Sequence, residues 1–321
     1  LRVVLCAFVV ALGAGNVAPP AGALPLTDLG VYRGAADPEA VADFGRWLGR
    51  EPSWALDFLP GTSWRTIARP RWFAQLWAES PYRVVYSVPL LPFSGDSSLR
   101  QGAAGVYDVY FEQLARGLVR AGEGDAVIRL GWEFNGDWFP WTAAGAEDAF
   151  VAYWQRVVDA MRSVDGASFS FDWSPSAGPN AMDADSAYPG DDYVDYIGLD
   201  VYDVTGKGSA ESREQRWNTL MDQPFGLAWH AEFATAHGKP MTFPEWGLWL
   251  DEADGGGGDD PYFIEQMWRW TTLHDVTYQM YFDYDGSDGV QHELQSEALA
   301  EAGRRYRERF GLVPIPARQQ S

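Results

Sequence analysis

The sequence predicts an α/β protein folded as a single closed (β/α)8 barrel. Three observations predict it. Eight short apolar runs of β type alternate with amphipathic segments along the 321 residues, the pattern of parallel βαβ units. Those units fill about 290 residues, close to the length of one such barrel. No G-x-G-x-x-G follows the first run and no phosphate-binding P-loop occurs, so an open nucleotide-binding sheet is disfavoured. The glycine run 255–258 lies between acidic residues and reads as a loop.

The strands are expected at 29–32, 54–59, 83–90, 126–132, 168–173, 194–202, 240–245 and 278–282. The first helix, 38–48, opens with Asp37 as N-cap and Pro38 as its first residue, both good helix starters. Ser63 precedes a helix at 64–77. The segment 106–120 places Val106, Val109, Tyr110, Leu114 and Leu118 at helical spacing. Further helices are expected at 146–164, 211–237, 261–273 and 293–310, and 183–192 reads as short and irregular. No linker divides 24–312, so one barrel domain is expected, followed by a disordered tail at 313–321.

Residues 1–23 read as a secretory signal, with Arg2, an apolar stretch at 3–12 and the A-x-A site Ala21-Gly22-Ala23. A secreted chain beginning at Leu24 is therefore expected. Cys6 is the only cysteine, which leaves the barrel without a disulfide, a thiolate nucleophile or a cysteine metal site. Outside the first residues no apolar run reaches the roughly 20 needed to span a bilayer. The formal charge is −21, so nucleic acid and anionic membranes are poor partners and a soluble monomer with a neutral ligand fits better. Sixteen Trp and an aromatic content of 15% supply platforms for sugar rings.

In such a barrel the active site lies at the C-terminal ends of the strands. The fourth run ends in Arg129-Leu130-Gly131-Trp132-Glu133 and the seventh in Phe243-Pro244-Glu245-Trp246. Two carboxyls, Glu133 and Glu245, thus face each other across the barrel mouth. Cleavage of a glycosidic bond needs one protonated carboxyl for the leaving oxygen and one ionised carboxylate for the anomeric carbon, with retention when the second is the nucleophile. Arg129 is placed to hold the nucleophile ionised, and Tyr202 to donate to it from the sixth strand.

These residues carry a resemblance. Arg129-x-x-x-Glu133-x-Asn135-Gly136-x-Trp138-x-x-Trp141 resembles the acid/base motif of glycoside hydrolase family 26, the β-mannanase family. The stretch from Tyr188 to Tyr202 is similar to that family's entry into strand six, and Pro244-Glu245-Trp246-Gly247 to its nucleophile strand end. The resemblance implies Glu133 as acid/base, Glu245 as nucleophile and Tyr202 as its orienting tyrosine. It implies Arg129, Asn135, Trp138 and Trp141 as substrate-pocket residues; Trp132, Trp246 and Tyr281 join them as candidate substrate contacts. Two departures bear on the sugar. Trp132 stands where the family commonly has His, and 281–284 (Tyr-Phe-Asp-Tyr) stand where it often has Trp.

The expected activity is secreted, retaining endo-hydrolysis of a neutral polysaccharide, β-1,4-mannan first, with β-1,3-xylan, mixed-linkage β-glucan or another cell-wall glycan as alternatives. A transglycosylase would share the same residues. A non-catalytic glycan-binding barrel would keep the aromatics and lose a carboxylate, and both are present. A lyase for uronates would want a basic groove, and Lys is limited to Lys207 and Lys239. No cofactor or metal is expected. The four His show no zinc spacing, and the acidic-glycine run 283–289 lacks the closing Glu of a calcium loop.

Overall fold

The computed structural model describes residues 27–206, 211–285 and 290–311. The expected leader, the tail at 313–321, Lys207 and most of the acidic-glycine run lie outside the described residues. The elements are β1 (Asp28–Tyr32), α1 (Pro38–Leu48), β2 (Trp54–Phe58), α2 (Trp64–Ala68), α3 (Arg71–Ala78), β3 (Arg83–Val88), α4 (Leu99–Ala103), α5 (Asp108–Ala121) and β4 (Val127–Leu130). They continue as α6 (Glu147–Arg162), β5 (Ser170–Trp173), β6 (Tyr196–Tyr202), α7 (Arg213–Asp222), α8 (Leu227–His237), β7 (Met241–Gly247), α9 (Pro261–Leu273), β8 (Val276–Phe282) and α10 (Ala300–Phe310). The strands pair in sequence order, all parallel, and β8 closes on β1. The (β/α)8 barrel expected from the sequence is the observed fold.

Side chains alternate along each strand, so every strand feeds two cores. The inner one holds Tyr32, Trp54, Leu56, Val85, Val127, Tyr278 and Met280. The outer, larger one lies between strands and helices. Proline explains where two of the expected helices are split, whereas the last, expected from Glu293, starts at Ala300 with no proline before it. Pro70 and Pro224 each remove a backbone donor and disfavour helix in the residue before them, so 64–77 becomes α2 and α3, and 211–237 becomes α7 and α8. The helix expected from Val106 starts at Asp108, and Val106 and Val109 point to solvent. The short α4 has no counterpart in the sequence reading.

One irregularity positions the site. Between β6 and β7 the register runs Gly198↔Thr242 and then Asp200↔Glu245, so β7 carries an extra residue there. In a regular strand, residues three apart face opposite sides. The bulge lets both Thr242 and Glu245 face inward and accommodates Pro244 within the sheet. Gly198 is required opposite it: a Cβ there would sit 2.4 Å from Asp172 Oδ1 and 3.0 Å from the Pro244 ring.

The core buries several carboxyls. Asp57 accepts from Trp77 Nε1 at 2.6 Å, Asp172 from Thr242 Oγ1 at 2.6 Å and from the Tyr278 hydroxyl, and Asp283 from Leu294 N at 2.6 Å. Burial raises these acids to about 7, about 6 and about 7 respectively. The native chain therefore holds protons that the unfolded chain has already released. The associated stability is full below the ordinary carboxyl range and lost as pH rises through the folded values. The expected outcome is a higher thermal midpoint at pH 5 than at pH 8, checked by calorimetry at constant ionic strength.

Candidate active site

The turn after β4 delivers Glu133. Gly131 adopts φ +52° and has Leu90 Cδ1 only 2.5 Å from where a Cβ would be, so a larger residue would clash. Glu133 itself has φ +50°, a left-handed conformation that costs a non-glycine residue about 1–3 kcal/mol. Flanking strands hold it there: Gly131 N donates to Val88 O at 2.9 Å and Glu133 N to Ser174 O at 2.8 Å. The carboxyl then meets Trp138, whose Nε1 donates to Glu133 Oε2 at 2.8 Å. Trp138 folds over Gly136, where a Cβ would lie 2.3 Å from its ring.

Glu245 is reached from two strands. Tyr202 donates to its Oε1 at 2.6 Å. Arg129 Nη1 donates to its Oε2 at 3.0 Å and to Ser87 Oγ at 3.1 Å. The other guanidinium arm pairs with Asp200, whose second oxygen accepts from Ser174 Oγ at 2.9 Å. Arg129 is wholly buried and its charge is divided between two carboxylates. Burial alone would lower its pKa, but Asp200 and Glu245 keep it well above the usual arginine value. Glu133 has the opposite environment. Burial and the charge of Glu245 raise it to about 7, against the pull of Trp138, Arg129 and Ser176. One cleft thus holds an ion-paired carboxylate and a carboxyl poised near neutrality.

The cleft has a volume of about 690 Å³. Glu133, Trp138, Asp200, Tyr202 and Glu245 line it, together with Trp249 and Phe282, and with Phe139, Ser176, Asn180 and Gln223, which sequence reasoning did not single out as site residues. Its charged lining is carboxylate only, with no Lys or Arg among the described lining residues.

The expected contacts Trp132, Asn135, Trp141, Trp246 and Tyr281 are not among the residues that line the cleft. Trp246 is fully buried against Phe263, Tyr281 and Tyr306, its Nε1 donating to Gln279 at 2.6 Å. Tyr281 shares that outer core, with its hydroxyl on Leu248 N at 3.3 Å. Each adjoins an inward residue, Glu245 or Phe282, and so faces the helices. Asn135 is also enclosed; it accepts from Ser176 N at 2.9 Å and donates to Ser176 O at 2.8 Å, fixing the loop after β5. Trp141 sits behind Trp132 and donates to its carbonyl at 2.8 Å. Trp132 is 5% exposed and packs on Phe58, Phe139 and Trp141. Among the described residues no group of three or more His, Cys, Asp or Glu could hold a metal ion, and no helix is long and apolar enough to cross a membrane.

Fold and site together define a class: a (β/α)8 barrel with facing carboxyls, one just beyond strand four and one near the end of strand seven. The comparisons with known proteins then supply the family resemblance. Residues 98–239 match the sequence model of Glycosyl hydrolase family 26, so the resemblance read from the motifs is borne out. Endoglucanase H of Acetivibrio thermocellus is 28% identical over 149 residues, 44% of this chain and 16% of that protein. A mannan endo-1,4-beta-mannosidase of Bifidobacterium adolescentis is 26% identical over 229 residues, 63% of this chain and 22% of that protein. The chain thus matches less than a quarter of the length of either curated relative. Among solved structures, a modular endo-beta-1,4-mannanase from Cellulomonas fimi superposes with a TM-score of 0.64 at 22% identity, over 87% of this chain and 70% of that one. A family 26 β-mannanase from Bacteroides ovatus does so with a TM-score of 0.59 at 17% identity, over 87% and 88%. At such identities the superpositions speak for the fold.

Proposed function

We propose that this chain is a retaining endo-β-glycoside hydrolase of a neutral polysaccharide, β-1,4-mannan first, with Glu245 as nucleophile and Glu133 as acid/base. The observation that carries this reading is the contrast between the two carboxyls: Glu245 is held by Arg129 and Tyr202, while Glu133 is raised to about 7. A Glu245 oxygen attacks the anomeric carbon as the glycosidic C–O bond breaks and the Glu133 proton passes to the leaving oxygen. Water then attacks the glycosyl ester and returns its proton to Glu133, releasing Glu245. The mannan assignment rests on the mannanases named above, and the endoglucanase relative makes mixed-linkage β-glucan the second candidate. The absence of a cation among the described lining residues favours an uncharged polymer over a uronate.

The test is reducing-sugar release from β-1,4-mannan, β-1,3-xylan and mixed-linkage β-glucan, with Glu133→Ala and Glu245→Ala as controls. Release from one polymer that both variants abolish supports the reading. Full release by either variant, or binding with no release by the parent chain, would count against it. Because Glu133 must enter the reaction protonated, kcat/KM is expected to fall as pH rises through about 7. Trp138→Phe removes a hydrogen bond that favours the ionised form, so this limb should move to higher pH; an unmoved or lowered limb would contradict the assignment. The leader-like residues 1–23 and the acidic composition support secretion as a monomer. N-terminal sequencing and sedimentation of exported protein test this; a retained leader or a dimer would overturn it.

A further inference from the structure

One part of the outer wall carries charge of a sign that the rest of the chain lacks. The formal charge is −21, yet the stretch 59–122 holds seven Arg against four Asp or Glu. Among the described residues, five cationic side chains meet no carboxylate, backbone carbonyl or aromatic ring: Arg65, Arg69, Arg71, Arg100 and Arg120. All five fall within that stretch. Every other described Arg or Lys has such a partner.

Two of the five share a recess. Arg65 on α2 and Arg69 at its C-terminal end, with Trp64, Tyr110 and Gln113, line a cavity of about 560 Å³ between α2 and α5. Both arginines are exposed. No Asp or Glu is among the described lining residues. Asp108 and Glu112, at the start of α5, are held by Arg156 and Arg116. One wall is aromatic. The Tyr110 ring lies nearly parallel to Trp64, with centroids 4.8 Å apart. Trp64 is fixed in turn by Tyr107 at 4.2 Å and by its Nε1 donating to Ser97 Oγ at 3.0 Å. Tyr110 is half-buried, and no second ring meets it among the described residues. Its hydroxyl and the Gln113 amide have no hydrogen-bond partner there either. The recess shares no lining residue with the catalytic cleft.

These groups define a ligand. A guanidinium takes a carboxylate through two parallel hydrogen bonds, and two free ones with no competing acid select an anion. A half-buried ring beside a free hydroxyl and a free amide suits a sugar, which has an apolar face and a rim of hydroxyls. A bare phosphate would leave the aromatic wall unused. Charges more than about 8 Å apart are largely screened at physiological ionic strength, so the recess presents its own sign and not that of the whole chain. The cleft, with carboxylates as its only charged lining, disfavours the same ligand.

We propose that this recess binds uronate residues of an acidic glycan through Arg65 and Arg69, with Tyr110 as the platform, and so holds the protein on an anionic polymer while the cleft takes a neutral one. That the anion is a glycan rests on the function given above.

Titration calorimetry with tetragalacturonate uses the full chain carrying Glu245→Gln, to prevent turnover. Binding is expected at low salt and should weaken as salt rises. Arg65→Gln and Arg69→Gln should each weaken it about 3–10-fold, between the effects of an exposed ion pair and of a hydrogen bond to a charged group. Tyr110→Leu should weaken it to a similar degree. The methyl-esterified tetramer keeps the rings, loses the charges and should not bind. Mannopentaose should not displace the uronate. With Glu245 intact, the three variants should hydrolyse the neutral polymer at the parent rate. No binding of tetragalacturonate, binding unchanged in both arginine variants or in Tyr110→Leu, equal binding of the methyl ester, displacement by mannopentaose, or inorganic phosphate bound as tightly would overturn the proposal. Arginine-dependent binding with no release from any neutral polymer would sink the hydrolase reading alone. Release with no uronate binding would sink this inference alone.

Discussion

Glu245→Ala is expected to lower kcat on the preferred polymer by about 10⁴–10⁶-fold, the scale on which enzymes lose activity with their nucleophile. Folding should survive, because Arg129 keeps Asp200 and Ser87 as partners. The space vacated beneath the anomeric carbon admits a small anion. Sodium azide should therefore restore part of the activity on an activated aryl glycoside and yield the glycosyl azide of inverted, α configuration. In Glu133→Ala, azide should enter at the second step from the opposite face and give the β-azide. Polymer assays and NMR of the azide products measure both. An α-azide from Glu133→Ala, or retained polymer activity in Glu245→Ala, would reverse or remove the assigned roles.

The second large effect is expected at Arg129. Arg129→Met keeps the unbranched stem of the side chain and deletes the one cation between Asp200 and Glu245, both nearly buried. Breaking a buried ion pair by removing one partner costs about 3–5 kcal/mol, because the remaining charge has lost its counterion. The two carboxyls relieve this by sharing a proton, which neutralises the nucleophile. Stability in urea should thus fall by about 3–5 kcal/mol, and kcat should collapse even where the variant remains folded. Ser87→Ala deletes one neutral contact of the same guanidinium and should cost only about 1 kcal/mol. A stable, active Arg129→Met would show that Asp200 and Glu245 need no cation.

What could be read in advance follows physical lines. The eight strands were legible because each is an apolar run closed by turn residues, and the barrel because helices separate them. Glu133, Glu245, Arg129 and Tyr202 were legible from strand ends and motif spacing, and the structure brings them together. The placements of Trp246 and Tyr281 failed on strand alternation: once Glu245 and Tyr278 face inward, Trp246 and Tyr281 must face the helices. That signal was present in the sequence, and it points to Phe282 instead. The bulge at Pro244 was harder to see, since proline within a strand first suggests an edge. Ser176 and Gln223 come from segments whose course is set by tertiary contacts, such as the clasp of Asn135 on Ser176. No local periodicity encodes that course.

The central claim is that Glu245 forms a covalent glycosyl ester. Incubation with a dinitrophenyl 2-deoxy-2-fluoro-β-mannotrioside, followed by mass spectrometry of the digested chain, tests it most directly. The fluorine slows both steps, and the good leaving group lets the first outrun the second, so the ester accumulates. The expected result is one fluoroglycosyl adduct per chain, on Glu245, and none in Glu245→Ala. An adduct on Glu133, or no adduct from a chain that hydrolyses the polymer and first releases the α-anomer, would contradict the double-displacement account.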